Sequence, residues 1–211
     1  MATARQPQQI RSIESTNRML DAAEVLIAEG GPDALTIDAV VARAGTSNGA
    51  FYARFGDRRG LLVAVQDRFL SRIADMAFQH AGEVEELPDL DTALTRFVEL
   101  FLDIFRVNRN AFNVILVQTR GLPEFEKRGA EVTKAAAKLL HNLVVKHEKE
   151  IAHRDIDIAS EMVFRTLFAL ATQIVMMNEG EITGHHMSED QWAHETSQML
   201  LCYLRSHPTE T

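Results

Sequence analysis

Apolar residues recur at helical spacing along almost the whole chain, and no stretch of useful length alternates as a strand does. The spacing predicts a first helix from about Ile10 or Ser15 to Glu29, with Leu20, Ala23 and Ile27 facing inward and Gly30-Gly31-Pro32 ending it. Ile37, Val40, Val41 and Ala44 mark one face of a short second helix led by Thr36, and Phe51 and Phe55 share the buried side of a short third. Asp57 opens a long fourth helix through Leu61, Val65, Phe69 and Ile73 to about Ala81, after which the acidic run GEVEELPD reads as a loop. Further helices are expected near 90–107, 109–119, 123–150, 156–179 and 188–206, with breaks at Asn108, Gly121-Leu122-Pro123, His153-Arg154-Asp155 and Gly180 to Ser188. The expected class is all-α, with about nine helices.

The most telling stretch is TIDAVVARAGTSNGAFYARFGDRRGLL, from Thr36 to Leu62. The Thr36 hydroxyl can accept from the free N–H groups of the next turn, and Asp38 places a negative charge at that helix's positive end. Gly45 suits a left-handed cap, and Ser47 or Thr46 then caps the following helix. Asn48, Gly49 and Ala50 are small or polar, so the backbone of this helix can approach another surface closely. That order of features is the grammar of a helix-turn-helix, whose second helix enters the DNA major groove.

From about Thr16 to Leu62 the chain resembles the DNA-binding domain of TetR-type transcriptional regulators, through RMLDAAEVLIAEGGPDALTIDAVVARAG and TSNGAFYARFGDRRGLL. The resemblance implies an N-terminal three-helix DNA-binding domain over residues 1–60 joined to a larger helical effector-binding and dimerisation domain over 61–211. It also assigns roles. Thr36 would meet a phosphate, and Thr46, Ser47, Asn48 and Gly49 stand at the start of the recognition helix. The Tyr52 hydroxyl would hold the DNA backbone. Arg54 stands where a His is common and Arg58 where a Lys is common; both keep hydrogen-bond donors. Thr46 replaces a frequent Val. The implied protein is a repressor that binds a palindromic double-stranded operator as a homodimer and is released by a small, largely apolar effector. The alternative is a helical small-molecule-binding or interaction protein whose helix-turn-helix does not bind DNA.

Phe97, Phe101 and Phe105 form an i, i+4, i+8 stripe, and Phe112, Leu116, Met162, Phe168 and Met176 are positioned in sequence to meet it. Such a stripe is as much the mark of solid core as of a pocket; the resemblance is what implies an effector pocket among these central helices. Arg165 and Gln173 are the polar residues that stand out on the helix near 156–179. Arg165 either meets an anionic ligand group or pairs with Glu161 one turn earlier. The abundance of Phe and Met favours an apolar or aromatic effector over a sugar. The 156–179 helix is apolar on most of its circumference and must be covered on several sides. With Trp192, Met199, Leu200, Leu201, Tyr203 and Leu204 of the last helix, it could form a four-helix bundle with a second copy, or the core of a thicker single-chain bundle.

Composition changes this picture little. The 211 residues are 46% apolar and 25% charged, as in soluble globular proteins. A single cysteine, Cys202, excludes an intramolecular disulfide framework, and the start MATARQPQQIRS lacks the apolar core of a signal peptide. A cytoplasmic protein with no membrane partner is expected. The net charge of −8 argues mildly against nucleic acid. Residues 1–75, however, hold nine arginines against nine acids, and the rest of the chain carries the deficit, with 13 basic and 21 acidic side chains. No catalytic residue, metal or cofactor is expected. His185, His186, Glu189, Asp190 and His194 match no established zinc spacing, and neither a phosphate-binding glycine loop nor a GxSxG motif occurs.

Overall fold

The computed structural model describes residues 5–119, 121–177 and 184–206. Nine α-helices occur among them and no strand: α1 (Arg5–Gly30), α2 (Ile37–Ala44), α3 (Asn48–Phe55), α4 (Arg58–Glu85), α5 (Leu90–Val107), α6 (Arg109–Asn113), α7 (Pro123–Lys146), α8 (Ile156–Met176) and α9 (Glu189–Arg205). The predicted helices are present, with changed ends. α4 runs one turn past Ala81, α6 passes into a π-helical turn over Val114–Gln118, and α7 stops at Lys146 before a 3-10 turn at Glu148–Glu150. The all-α class and the helix-turn-helix at the N-terminal side stand as expected.

Two compact units are present. The first contains the chain up to Ser71 together with Asn110–Arg128; the second contains Arg72–Arg109 and the chain from Gly129 onward. In the first, Met19, Ala23 and Ile27 of α1, Val40 of α2, Phe51 of α3 and Leu61 of α4 form one core. Val114 and Phe125 complete it from the later segment. The Gln66 side chain donates 3.1 Å to the buried Phe125 carbonyl, and Phe69 packs edge-on against Phe112 at 5.1 Å. Arg43 and Glu29 make a two-pronged ion pair, 2.6 and 2.9 Å, which holds the Glu29 carboxyl below its usual range.

In the second unit α5 lies against α8 and α9. Asp89 caps α5 by accepting from the Thr92 N–H at 2.8 Å, and that bond lowers its pKa. α9 opens with a capping box in which Ser188 accepts from the Gln191 N–H at 3.2 Å and Gln191 accepts from the Ser188 N–H at 2.8 Å. An aromatic ladder joins α5 to α8. Phe97, Phe101 and Phe105 stack along α5, and Phe164 and Phe168 meet Phe101 and Phe105 edge-on at 5.8 and 5.9 Å. α8 is long and apolar enough by length and composition to cross a membrane, but it also serves as the central helix of this unit, burying Ala159, Val163, Leu167, Ala171 and Val175.

Candidate nucleic-acid interface and effector cavity

The turn between α2 and α3 is built by local chemistry. Thr36, in extended backbone, accepts from the Ala39 N–H at 3.2 Å and so starts α2. Gly45 ends that helix at φ 59, ψ 44, the left-handed conformation that a Cβ disfavours. Ser47 is the cap of α3, accepting from the Ala50 N–H at 3.2 Å. Phe51 is fully buried and packs on Tyr52 and Phe55, which fixes the rotation of α3. Ser47, Asn48, Gly49, Tyr52 and Arg54 are all exposed. Tyr52 is 53% exposed, and among the described residues neither its hydroxyl nor the Arg54 guanidinium has a hydrogen-bond or ion-pair partner.

Arg58 is exposed at the start of α4, and its Nε donates 2.9 Å to the Leu35 carbonyl, next to Thr36. One guanidinium thus braces the N-terminal end of α2. Arg59 pairs with Glu124; that carboxyl is held below its usual range first by a backbone N–H and then by Arg59. Two glycines have opposite surroundings. A Cβ on Gly49 would meet only the Ser47 Oγ, at 3.9 Å, whereas a Cβ on Gly60 would lie 1.9 Å from the Phe55 carbonyl oxygen. Gly49 therefore has no internal reason to be glycine, and Gly60 has a strong one. The sequence reading passed over Gly60, whose only signal was a glycine one turn inside a helix behind an Asp cap.

Thr46 differs from its neighbours. Its N–H is taken by the Val41 carbonyl at 3.0 Å, and its Oγ1 is buried without a hydrogen-bond partner among the described residues. A buried unmade hydroxyl bond costs about 1–3 kcal/mol. Thr46→Val is expected to raise stability by about 1 kcal/mol, seen as a higher thermal midpoint, with DNA affinity changed less than about twofold.

The residues expected around an effector are spread over several environments. Phe97 and Phe101 line a cavity of about 50 Å³ between α4, α5 and α7, whose other walls include Ala77, Ala81, Ala136 and Leu139. Phe105 and Phe168 belong to the aromatic ladder, together with Phe164, which the sequence reading left out although it stands one turn before Phe168 on the same face. Phe112 and Leu116 are in the first unit, Phe112 against Phe69. Met162, Arg165 and Met176 lie on the exposed face of α8, and Arg165 donates 2.6 Å to Glu161, the local pair. Gln173 lines a second, larger cleft.

Residues 19–65 match the profile of bacterial regulatory proteins of the tetR family, and residues 89–204 match that of the tetracyclin repressor-like C-terminal domain. The chain belongs to the TetR family and is a transcriptional regulator of that class. No curated protein matches it. Among solved structures it is similar to a TetR-family transcriptional regulator from Mesorhizobium loti MAFF303099, with a TM-score of 0.73, 14% identity, and coverage of 92% of this chain and 96% of that one. A transcriptional regulator from Saccharomonospora viridis in complex with choline has a TM-score of 0.67 and 18% identity, covering 90% and 95%. FadR from Bacillus subtilis in complex with stearoyl-CoA has a TM-score of 0.64 and 16% identity, covering 87% and 96%. At these identities the likeness is one of fold.

Proposed function

We propose that this regulator is a cytoplasmic, non-enzymatic repressor that binds a palindromic operator as a homodimer and is released by a small organic effector. Residues 1–60 serve as its DNA-binding domain and residues 61–211 as its effector-binding and dimerisation domain. The observation that carries the DNA half is that Tyr52 and Arg54, on the two flanks of α3, are both exposed with their polar groups unpartnered among the described residues, with Gly49 exposed between them. Thr36, Ser47, Asn48 and Arg58 surround them as phosphate and base-edge contacts. Thr46 contributes through packing, since its hydroxyl is turned inward.

In the double variant Arg54→Ala, Arg58→Ala, operator affinity should fall about tenfold or more at 150 mM salt, and the salt slope should shrink by about one to two. Fluorescence anisotropy at several salt concentrations measures both. An unchanged slope in a folded double variant would favour the non-DNA-binding reading.

Dimerisation is supported by α8 and α9. Ile158, Met162 and Met176, which recur on one face along α8, and Met199 on α9 are 57%, 46%, 57% and 49% exposed, large apolar side chains that water does not favour. A symmetric pairing of these faces would cover them, and a dimer is what a palindromic operator with half-sites about one DNA turn, ~34 Å, apart requires. Ile158→Glu with Met162→Glu should convert the protein to monomers in sedimentation velocity and abolish cooperative operator binding.

For the effector, support comes from the apolar cavity between α4, α5 and α7. At about 50 Å³ it is far below the roughly 300–1,000 Å³ of ligand pockets, so a ligand must open it by moving α4 against α5 and α7. α4 also begins with Arg58 and Arg59 and runs through the first unit's core. A ligand preferring the opened state would lower operator affinity by about 5- to 150-fold, a coupling of ~1–3 kcal/mol.

A further inference from the structure

A cleft of about 720 Å³ opens within the second unit between α5, the last turn of α8 and the first turn of α9. We propose that it binds an organic cation with an apolar body, such as an aryl- or alkylammonium ion, at a site separate from the cavity between α4, α5 and α7. Its volume lies in the small-molecule range. Leu100, Ile174 and Met177 supply apolar wall, and Trp192 supplies an indole.

The sign of the charge follows from who already holds whom. Three guanidiniums and four carboxylates line the cleft. Arg96 donates 3.3 Å to Glu99, and Arg106 sits between Asp103 and Glu189. Arg109 donates 3.0 Å to the Met177 carbonyl and 3.4 Å to the Val175 carbonyl, at the negative end of the α8 dipole. The fourth carboxylate, Asp190, has no ion-pair partner among the described residues. An anion entering here would have to pull a guanidinium from a carboxylate or from the end of α8. A cation displaces no guanidinium and meets Asp190, whose charge faces no side-chain cation among the described residues and is offset only by the N-terminal end of α9. The indole face of Trp192 attracts cations by its quadrupole. Gln173 offers both a donor and an acceptor for an attached polar group.

Trp192 is the one tryptophan in the sequence, so the emission comes from a residue of this cleft, and a cavity-filling variant elsewhere is needed to place the probe. The test is a fluorescence titration of the full chain at pH 8, where an ordinary histidine is neutral, with benzyltriethylammonium and with benzenesulfonate. The cation should give a saturable change and bind at least about tenfold more tightly than the anion, an affinity that Asp190→Asn weakens about 3- to 10-fold. Ala136→Leu, which fills the α4, α5 and α7 cavity, should leave the cation's affinity unchanged. The proposal is overturned if folded protein shows no saturable change, if the anion binds as well, or if Asp190→Asn has no effect. It is equally overturned if Ala136→Leu removes binding, since the probe would then occupy the other cavity. None of these outcomes depends on whether the chain binds DNA.

Discussion

Gly60→Ala should unfold the corner between α3 and α4 and with it remove operator binding. The added Cβ would sit 1.9 Å from the Phe55 carbonyl oxygen and 3.0 Å from its carbonyl carbon. Both are backbone atoms, so no side-chain rotation relieves the clash. Gly60 cannot retreat cheaply either, because its N–H is tied to the Asp57 carboxylate at 2.8 Å, the bond that caps α4. Moving the corner would pull Phe51 and Leu61, both fully buried, out of their contacts. A loss of about 3 kcal/mol or more is expected. Chemical denaturation followed by far-UV circular dichroism reads it directly. Full retention of the midpoint would show that the corner is far softer than its geometry implies.

Gly49→Leu should have the reverse profile, with operator affinity lost at least about 100-fold while the fold is kept or slightly improved. Nothing but the Ser47 Oγ lies within reach of a Cβ at Gly49, so the protein has room for the side chain. Replacing glycine in a helix gains up to about 0.5–1 kcal/mol, less in a first turn. The new isobutyl group would project from the exposed start of α3, where the proposed duplex must come within contact of the backbone. Thermal unfolding and anisotropy on one preparation separate the two effects. A Gly49→Leu protein that binds operator normally would remove α3 from the interface. Together the two glycines distinguish a residue kept small by its own fold from one kept small for something outside it.

The helices themselves were legible because each carries its own instructions. Thr36, Ser47, Asp57 and Asp89 are caps whose side chains reach N–H groups three residues on, a geometry set within one turn. Gly45 ends α2 for an equally local reason. The exposed face of α3 followed from the placement of Phe51 and Phe55 four residues apart. Long-range partners left no such trace. Nothing in the pattern of residues 110–128 announced that Val114 and Phe125 would complete the core of the first unit, or that Phe112 would pack edge-on against Phe69. Arg165 illustrates the same limit, since its periodicity allowed two partners and only the folded helix selects Glu161.

By itself, then, the order of residues determined the helix inventory, the helix-turn-helix and the family, since caps, glycine breaks and 3.6-residue periodicity act over a turn or two of chain. Tertiary structure decided which apolar faces meet, which are left to solvent, and how much space remains between them. The buried hydroxyl of Thr46, the packing of Phe112 on Phe69 and the cleft shared by α5, α8 and α9 all arise from atoms brought together by packing. Packing couples residues far apart in the chain, and no local pattern encodes which of many equally apolar surfaces a helix will find.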